Sequence, residues 1–402
     1  MTDKMDTTYT MPTAPAAIIR SLNAAGFEAY AVGGCVRDSL LGLTPEDWDI
    51  TTCALPQETA QVFSDCHVIE TGLQHGTVTV RFKNKSYEIT TFRVDGEYTD
   101  SRHPDTVTFT PSAIEDVKRR DFTINALLWH PDDDIRDFVG GIGDLQSGIL
   151  RCVGEPKKRF SEDALRILRA LRFASVYGFS IHPDTKAAAI SLAESLKNIS
   201  AERIRVELFK LLCGKNAAAI LTEFAAVLQV ILPGAVISAQ MAKALSLAPT
   251  DIVCRLALLL QNTDAKAVLQ RLKTDTATIT QVDAVLQTMQ LSPTTEPIAL
   301  KKLLRLYGPK TLRLSIAFHA ALKEEDASIW DATASALQAL LLTDPCYSLK
   351  ALHISGRELL ALGFTGKEIG NMLDLALTAV IEETCENEQS ALLDFVKKQP
   401  RE

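Results

Sequence analysis

The chain of 402 residues has no apolar run approaching the roughly 20 residues that a membrane span needs. Residues 1–12 are polar and acid-containing, unlike the apolar centre of a secretory signal, so the protein is expected in the cytoplasm with no membrane partner. There is no Cys-x-x-Cys pair. The eight cysteines (35, 53, 66, 152, 213, 254, 346 and 385) stand far apart, and no histidine falls at zinc-ligand spacing. Neither disulfides nor structural zinc are expected, and packed thiols in a reducing compartment are the simpler reading. Positive charge is not in excess: the net charge of -8 argues against a broad nucleic-acid coat, though it leaves room for a local basic track. Fixed-period repeats are absent, as are low-complexity segments beyond the Thr-rich first dozen residues. With 47% apolar residues, 20 glycines and 16 prolines, this is an ordinary globular chain, long enough for roughly two to four domains.

The most informative stretch is Tyr30-Ala-Val-Gly-Gly-Cys-Val-Arg-Asp-Ser-Leu-Leu-Gly-Leu-Thr-Pro-Glu-Asp-Trp-Asp-Ile-Thr-Thr52. An apolar run ends in Gly33-Gly34, a short amphipathic helix follows over residues 36–41, and Gly42 stops it before a strand beginning near Asp47. Paired glycines let backbone N–H groups approach an anion without a Cβ in the way, and the following helix aims its positive end at the same point. Strand residues two apart face the same way, so Asp47 and Asp49 set two carboxylates side by side while Trp48 and Ile50 face the other side. Hard oxygen donors beside a phosphate cradle suit Mg²⁺ bridging to a nucleoside triphosphate. Taken singly, a Gly-Gly pair is usually a turn, and an Asp-x-Asp at a strand start is usually a solvated edge.

Residues 14–25 are expected to form a helix stopped by Gly26. Strands are expected at 28–32, 47–52, 76–82 and 86–92, with a helix over 56–63 and a hairpin at Asn84-Lys85. In the last strand, alternation puts Glu88 on one face and Tyr87 and Ile89 on the other. From about Ser161 onward strand signals vanish, and helical periodicity runs to the end with breaks at Gly214, 232–234, 292–293 and 344–345. The fold class expected is therefore an α/β head with a small mixed sheet, followed by an all-α neck, body and tail.

Three further segments carry chemistry. Residues 95–109 are polar, with Gly and Pro, and are expected to be a mobile loop. Glu115-Asp-Val-Lys-Arg-Arg-Asp-Phe-Thr-Ile-Asn-Ala126 sets Lys118, Arg119 and Arg120 before Asp121 and Asn125: cations for phosphate, and an acid-amide pair that could grip ribose hydroxyls. In Ser161-Glu-Asp-Ala-Leu-Arg-Ile-Leu-Arg-Ala-Leu-Arg-Phe173, Ser161 can cap a helix on which Asp163, Arg166 and Arg169 form one stripe and Leu165, Leu168 and Leu171 another. A charged stripe is ordinarily a solvated face. Yet cytosine and adenine both offer an amine donor beside a ring-nitrogen acceptor, whereas uracil and guanine offer a carbonyl beside an N–H, so one Asp and one Arg could accept the first pair and refuse the second. Seven Lys or Arg against three acids over residues 151–172 make this neck basic within an acidic protein, as a contact to a phosphate backbone would need.

Gly-Gly-x-Val-Arg-Asp-x-Leu-Leu-Gly followed by Asp-x-Asp resembles the active-site signature of the polymerase-β-like nucleotidyltransferases, in the branch of tRNA nucleotidyltransferases and bacterial poly(A) polymerases. The later segments look like that family's flexible loop, its ribose-discriminating Arg-Arg-Asp-x-x-x-Asn-Ala motif and the Glu-Asp-x-x-Arg nucleotide-reading motif of class II CCA tRNA nucleotidyltransferases. The likeness is specific over residues 30–210. Residues 200–210 resemble the family's last shared motif, and segments 353–364 and 366–370 its tRNA-contacting tail. The resemblance implies CCA addition to tRNA from CTP and ATP by two Mg²⁺ ions on Asp47 and Asp49, with Glu88 as a third acidic residue. It implies that Gly33, Gly34, Arg37 and Arg120 hold the triphosphate, Asp121 and Asn125 the ribose, and Asp163 and Arg166 the base, with Arg169 and Arg172 positioning it. Domains are expected at 1–148 (head), 149–213 (neck), 214–315 (body) and 316–402 (tail). An enzyme adding only the terminal A, a poly(A) polymerase and a catalytically dead RNA-binding module stay open alternatives at this point.

Overall fold

The computed structural model describes residues 10–72, 76–96, 106–323 and 326–400. They form two compact units: residues 1–216 with 223–233, and 217–222 with 234–402.

The first unit opens with helix α1 (Thr13–Ala24), whose Ile18, Ile19 and Leu22 are fully buried. Then come β1 (Ala29–Val32), α2 (Gly34–Leu40), β2 (Asp49–Thr52), α3 (Pro56–Val62), β3 (His67–Gly72), β4 (Thr77–Phe82) and β5 (Lys85–Thr91). With β8 (Leu128–Trp129) these strands make a six-stranded sheet in the order β3-β4-β5-β2-β1-β8. It is mixed: β1 runs antiparallel to β2, whereas β2 and β5 are parallel. Alternation along β1 sorts the core into two layers. Ala29 and Ala31 pack with α1, Ile50, Val78 and Ile89, and Tyr30 and Val32 pack with Phe92, Val117 and Leu128 on the opposite face.

Strand β3 escapes sequence reading because it is a half-exposed edge whose register slips between Ile69 and Gly72, leaving no clean alternation. The hairpin loop is Lys83-Asn84 rather than Asn84-Lys85. Both residues take positive φ, 48° and 65°, which suits a two-residue turn closed by the Phe82 and Lys85 pair. The expected loop over 95–109 is framed by a ribbon, β6 (Arg93–Asp95) antiparallel to β7 (Val107–Phe109). Its residues 97–105 lie outside the described residues.

Helix α4 (Ala113–Lys118) leads through a 3₁₀ turn at Thr123–Asn125 to β8, and α5 (Gly141–Ser147) follows. Strand signals do not stop at Ser161, since β9 (Ile149–Leu150) pairs in parallel with β10 (Ser180–Ile181). The helix expected from Ser161 is in fact two: α6 (Pro156–Glu162) and α7 (Leu165–Tyr177). Between them Asp163 is extended (φ -145°, ψ 105°), and its Oδ1 accepts the Leu165 N–H at 3.0 Å. An aspartate that can satisfy an orphan N–H competes with helix continuation, and here it starts a new helix. Leu165, Leu168 and Leu171 are buried, as their spacing predicts. Helix α8 (Pro183–Ser191) and a 3₁₀ turn at Ala193–Asn198 lead to α9 (Ala201–Leu212), which packs along α7.

Chain segments α10 (Ala217–Glu223) and α11 (Ala225–Ile231) follow. Helices α12 (Ala239–Leu247), α13 (Ile252–Leu260), α14 (Ala265–Arg271), α15 (Thr276–Leu286), α16 (Pro297–Leu322), α17 (Ala327–Leu342), α18 (Gly356–Ala361), α19 (Lys367–Ile381) and α20 (Gln389–Lys397) complete the second unit. A break not foreseen from the sequence lies inside α16, where Gly308 (φ 73°, ψ 164°) precedes Pro309. No helix among the described residues is long and apolar enough to cross a membrane. The eight cysteines are free thiols.

Close packing of the first unit is testable at Gly214, where a Cβ would stand 2.1 Å from Ser175 Oγ and 2.6 Å from its carbonyl carbon. Gly214→Ala is expected to destabilise that unit by about 1–3 kcal/mol. An unchanged denaturation midpoint would contradict this packing.

Candidate active site

A cleft of about 1050 Å³ opens in the first unit, and its wall brings together most of the residues singled out from the sequence: Gly33, Gly34, Arg37, Asp47, Asp49, Arg120, Asp121, Asn125, Asp163, Arg166, Arg169 and Arg172. Glu88 is not among them. It lines a smaller adjoining space of about 250 Å³ with Asp49, Arg93, Arg119 and Arg120.

Sheet register explains both placements. Parallel pairing of Ile50 with Ile89 sets Asp49 and Glu88, one residue ahead of each, on the same face of neighbouring strands. Trp48 turns away and packs at 5.9 Å from Trp129. Asp47 precedes the first ladder pair, Val32 with Asp49, so it is held by the approach to the strand rather than by its pleat. Gly33 bends with φ 81°, and a Cβ there would meet Asp49 Oδ2 at 3.8 Å and Arg120 Nη1 at 3.9 Å. The bend, a carboxylate and a guanidinium thus converge on one small volume.

Burial pushes the Asp49 carboxyl above the usual carboxylate range, the charges of Glu88 and Asp47 push it further, and Arg120 opposes them. Among the described residues, no three His, Cys, Asp or Glu side chains are grouped closely enough to hold a metal ion. The donor set nevertheless fits a divalent cation: hard oxygens whose negative charge is not fully balanced by the protein.

The cleft wall is also arginine-rich, and its guanidinium groups have fixed partners. Arg37 is buried; its Nε donates to Asp38 Oδ1 at 2.9 Å and its Nη1 to Asn125 Oδ1 at 2.5 Å, over the rings of Phe173 and Tyr177. Asn125 Nδ2 in turn donates to Asp121 Oδ1 at 3.2 Å. Arg169 donates to Asp121 Oδ2 from Nε at 2.8 Å and Nη2 at 2.6 Å. Burial alone would raise the Asp121 pKa, but Arg169 and the hydrogen bonds outweigh it and hold it at about 2. Asp116, fully buried, accepts from Arg119 Nε at 2.8 Å and Arg120 Nη2 at 2.9 Å.

On the neck, Arg166 Nη1 donates to Glu162 Oε2 at 2.7 Å, Arg172 pairs with Glu207 at 2.9 Å and Arg203 with Asp163 at 2.7 Å. Of the expected stripe of Asp163, Arg166 and Arg169, the two arginines lie on α7, whereas Asp163 enters from the break before it. The basic neck is not an open cationic surface, because Arg151, Arg159, Arg166, Arg169 and Arg172 are all ion-paired, and Lys157 and Lys158 are its exposed cations. Asp116, Asp38, Glu207, Arg203, Phe173 and Tyr177 went unassigned in the sequence. Asp38 lies in the Gly-Gly-x-Val-Arg-Asp signature, and Arg203 and Glu207 in the segment that resembles the last shared motif, but their contacts to residues far along the chain carry no sequence signal.

The family model for the poly A polymerase head domain matches residues 29–151, that for the RNA and SrmB-binding site of polymerase A residues 178–235, and that for tRNA nucleotidyltransferase domain 2 residues 250–396. Together these define a tRNA nucleotidyltransferase built on a polymerase head. The chain is 38% identical to the CCA-adding enzyme of Lactiplantibacillus plantarum over 397 residues, 94% of each chain. To that of Leuconostoc mesenteroides it is 51% identical over 201 residues, half the length of each. The crystal structure of the Bacillus stearothermophilus CCA-adding enzyme in complex with CTP matches with a TM-score of 0.81 and 32% identity, covering 96% of this chain and 98% of that one. The Thermotoga maritima CCA-adding enzyme complexed with tRNA shares the fold at a TM-score of 0.65 and 23% identity, over 95% of this chain and 93% of that one. The chain belongs to the CCA-adding enzyme family.

The raised Asp49 pKa has a consequence for stability. A carboxyl raised in the fold favours folding at acid pH, and that contribution is lost as pH rises through the folded value. With a chelator present, Asp49→Asn is therefore expected to melt higher than the wild type at pH 8, with the gap closing toward pH 4. A lower melting point at pH 8 would mean that Asp49 is well compensated in the fold.

Proposed function

We propose that this cleft adds C, C and A to the 3′ end of tRNA from CTP and ATP, without a nucleic-acid template and with release of diphosphate. The observation that carries the reading is the convergence of Asp47 and Asp49, the arginine wall and the Asp163–Arg166 pair on one cleft. Asp47 and Asp49 would hold Mg²⁺, the cation their hard oxygens suit, which when bound neutralises triphosphate charge and activates the tRNA 3′-hydroxyl.

The residues of the chain do the rest. Gly33 and Gly34 leave room for phosphate oxygens, and Arg37 and Arg120, pre-oriented by Asp38, Asn125 and Asp116, supply charge to them. Asp121 and Asn125 hold the ribose, and Asp163 and Arg166 read the base edge. Arg169 and Arg172, locked on Asp121 and Glu207, hold the wall in place. The charge of Glu88, on the strand parallel to that of Asp49, acts on the Asp49 carboxyl, and Glu88 would accept the proton of the attacking hydroxyl.

We assign residues 1–148 to the catalytic head, 149–213 to the neck, 214–315 to the body and 316–402 to a tail that contacts tRNA. The cytoplasm, where tRNA and both nucleotides meet free thiols, is the compartment that follows from this reading.

Radiolabelled CTP and ATP supplied separately to tRNAs lacking one, two or three terminal nucleotides test the proposal. CMP should enter only the two shorter tRNAs and AMP only the tRNA lacking one residue. Asp49→Ala should abolish both while leaving tRNA affinity nearly unchanged, and incorporation within tenfold of the wild type would sink the metal assignment.

Base reading makes a separate prediction. Loss of one charge-assisted hydrogen bond in Asp163→Ala should lower kcat/KM for CTP roughly ten- to a hundredfold and relax selection toward UTP and GTP. A preference for CTP over UTP that survives unchanged would exclude reading by this aspartate.

A further inference from the structure

Asp163 is fixed at both of its carboxylate oxygens. Oδ1 accepts the Leu165 N–H at 3.0 Å, and Oδ2 accepts from Arg203 Nη2 at 2.7 Å. Arg203 belongs to α9, in the segment that resembles the family's last shared motif. It lines the cleft because α9 packs along α7, where the Leu211 carbonyl accepts from Ser175 Oγ at 2.7 Å. Its second terminal nitrogen, Nη1, is buried with no hydrogen-bond partner.

We infer that Arg203 is a positioning residue for base selection: it locks the plane of the Asp163 carboxylate so that the acceptor facing the bound base cannot turn away. Each carboxylate oxygen has two acceptor sites, so the contacts to Leu165 and Arg203 still leave sites for an exocyclic amine. A carboxylate held from both sides meets the carbonyl of uracil or guanine acceptor to acceptor and cannot relieve the repulsion by rotating. One held at Oδ1 alone can swing and admit a water between the two oxygens. The inference rests on the proposal that Asp163 reads the base.

The test measures kcat/KM for CTP and UTP on a tRNA lacking its last three nucleotides, with Arg203→Gln, Arg203→Lys and Asp163→Ala, alongside the melting temperature of each. Arg203→Gln is expected to lose roughly tenfold of the CTP-over-UTP preference. Arg203→Lys should lose roughly threefold, because a point charge keeps the attraction but not the planar grip. If both variants slow CTP and UTP equally while Asp163→Ala relaxes selection, Arg203 has only a structural role and the inference is overturned, though base reading stands. If Asp163→Ala leaves the preference unchanged, base reading fails and this inference with it. Should Arg203→Gln not fold, the lysine variant decides, and an unchanged preference in it overturns the inference.

Discussion

Guanidinium groups repel one another, yet Arg37, Arg169 and Arg172 gather around the single ring of Phe173, at 5.0, 5.4 and 4.1 Å from its centroid. In a protein of net charge -8 this cluster exists because carboxylates stand behind it: the half-buried Asp38 for Arg37 and Asp121 for Arg169, and the buried Glu207 for Arg172. Burial pulls the Arg172 pKa below its ordinary value; Glu207 opposes that shift, while Arg169 and Arg37 add to it. The carboxylates cancel enough of the charge for the wall to fold, but the cations remain aimed at the cleft. Under the proposed function, that balance would let a rigid surface meet a triphosphate without reorganising.

The rest of the unit serves this balance by bringing distant segments to it. Asp121 follows α4, Arg169 and Arg172 lie on α7 and Glu207 on α9, so the acid partners of the neck arginines come from both the head and the neck. Phe122 packs edge-on to Phe173 at 5.7 Å, which ties the sheet-bearing segment to α7 by a contact independent of charge. Asp47 and Asp49, at the approach to β2 and at its first residue, line the same cleft. It therefore carries carboxylates and guanidinium groups together, the charges that the proposed binding of a cation-bound polyanion would use.

Much of this was legible in the sequence. Apolar alternation exposed β1, β2, β4 and β5, and the spacing of Gly33, Gly34, Asp47 and Asp49 pointed to residues that line one cleft, because strand and helix periods are local properties. The break at Asp163 was not legible, since Ser161-Glu162-Asp163 offers several adjacent capping residues and only the packing of α7 on α9 selects the third. Nor was the pairing of the neck arginines: a count of cations along the chain cannot tell that their partners Asp121, Asp144 and Glu207 lie on other elements. β3 and the slip between Ile69 and Gly72 were hidden because an edge strand imposes little burial pattern.

The central claim is that protein side chains alone choose the added nucleotide, in order and with a defined end. It is tested most directly by giving the wild-type protein a tRNA that lacks its last three residues together with all four nucleoside triphosphates at equal concentration, then sequencing individual 3′ ends. The account predicts ends that read CCA and stop there, with U and G rare at every added position. Ends carrying U or G at frequencies near those of C and A, or runs of A continuing past the third position, would contradict it.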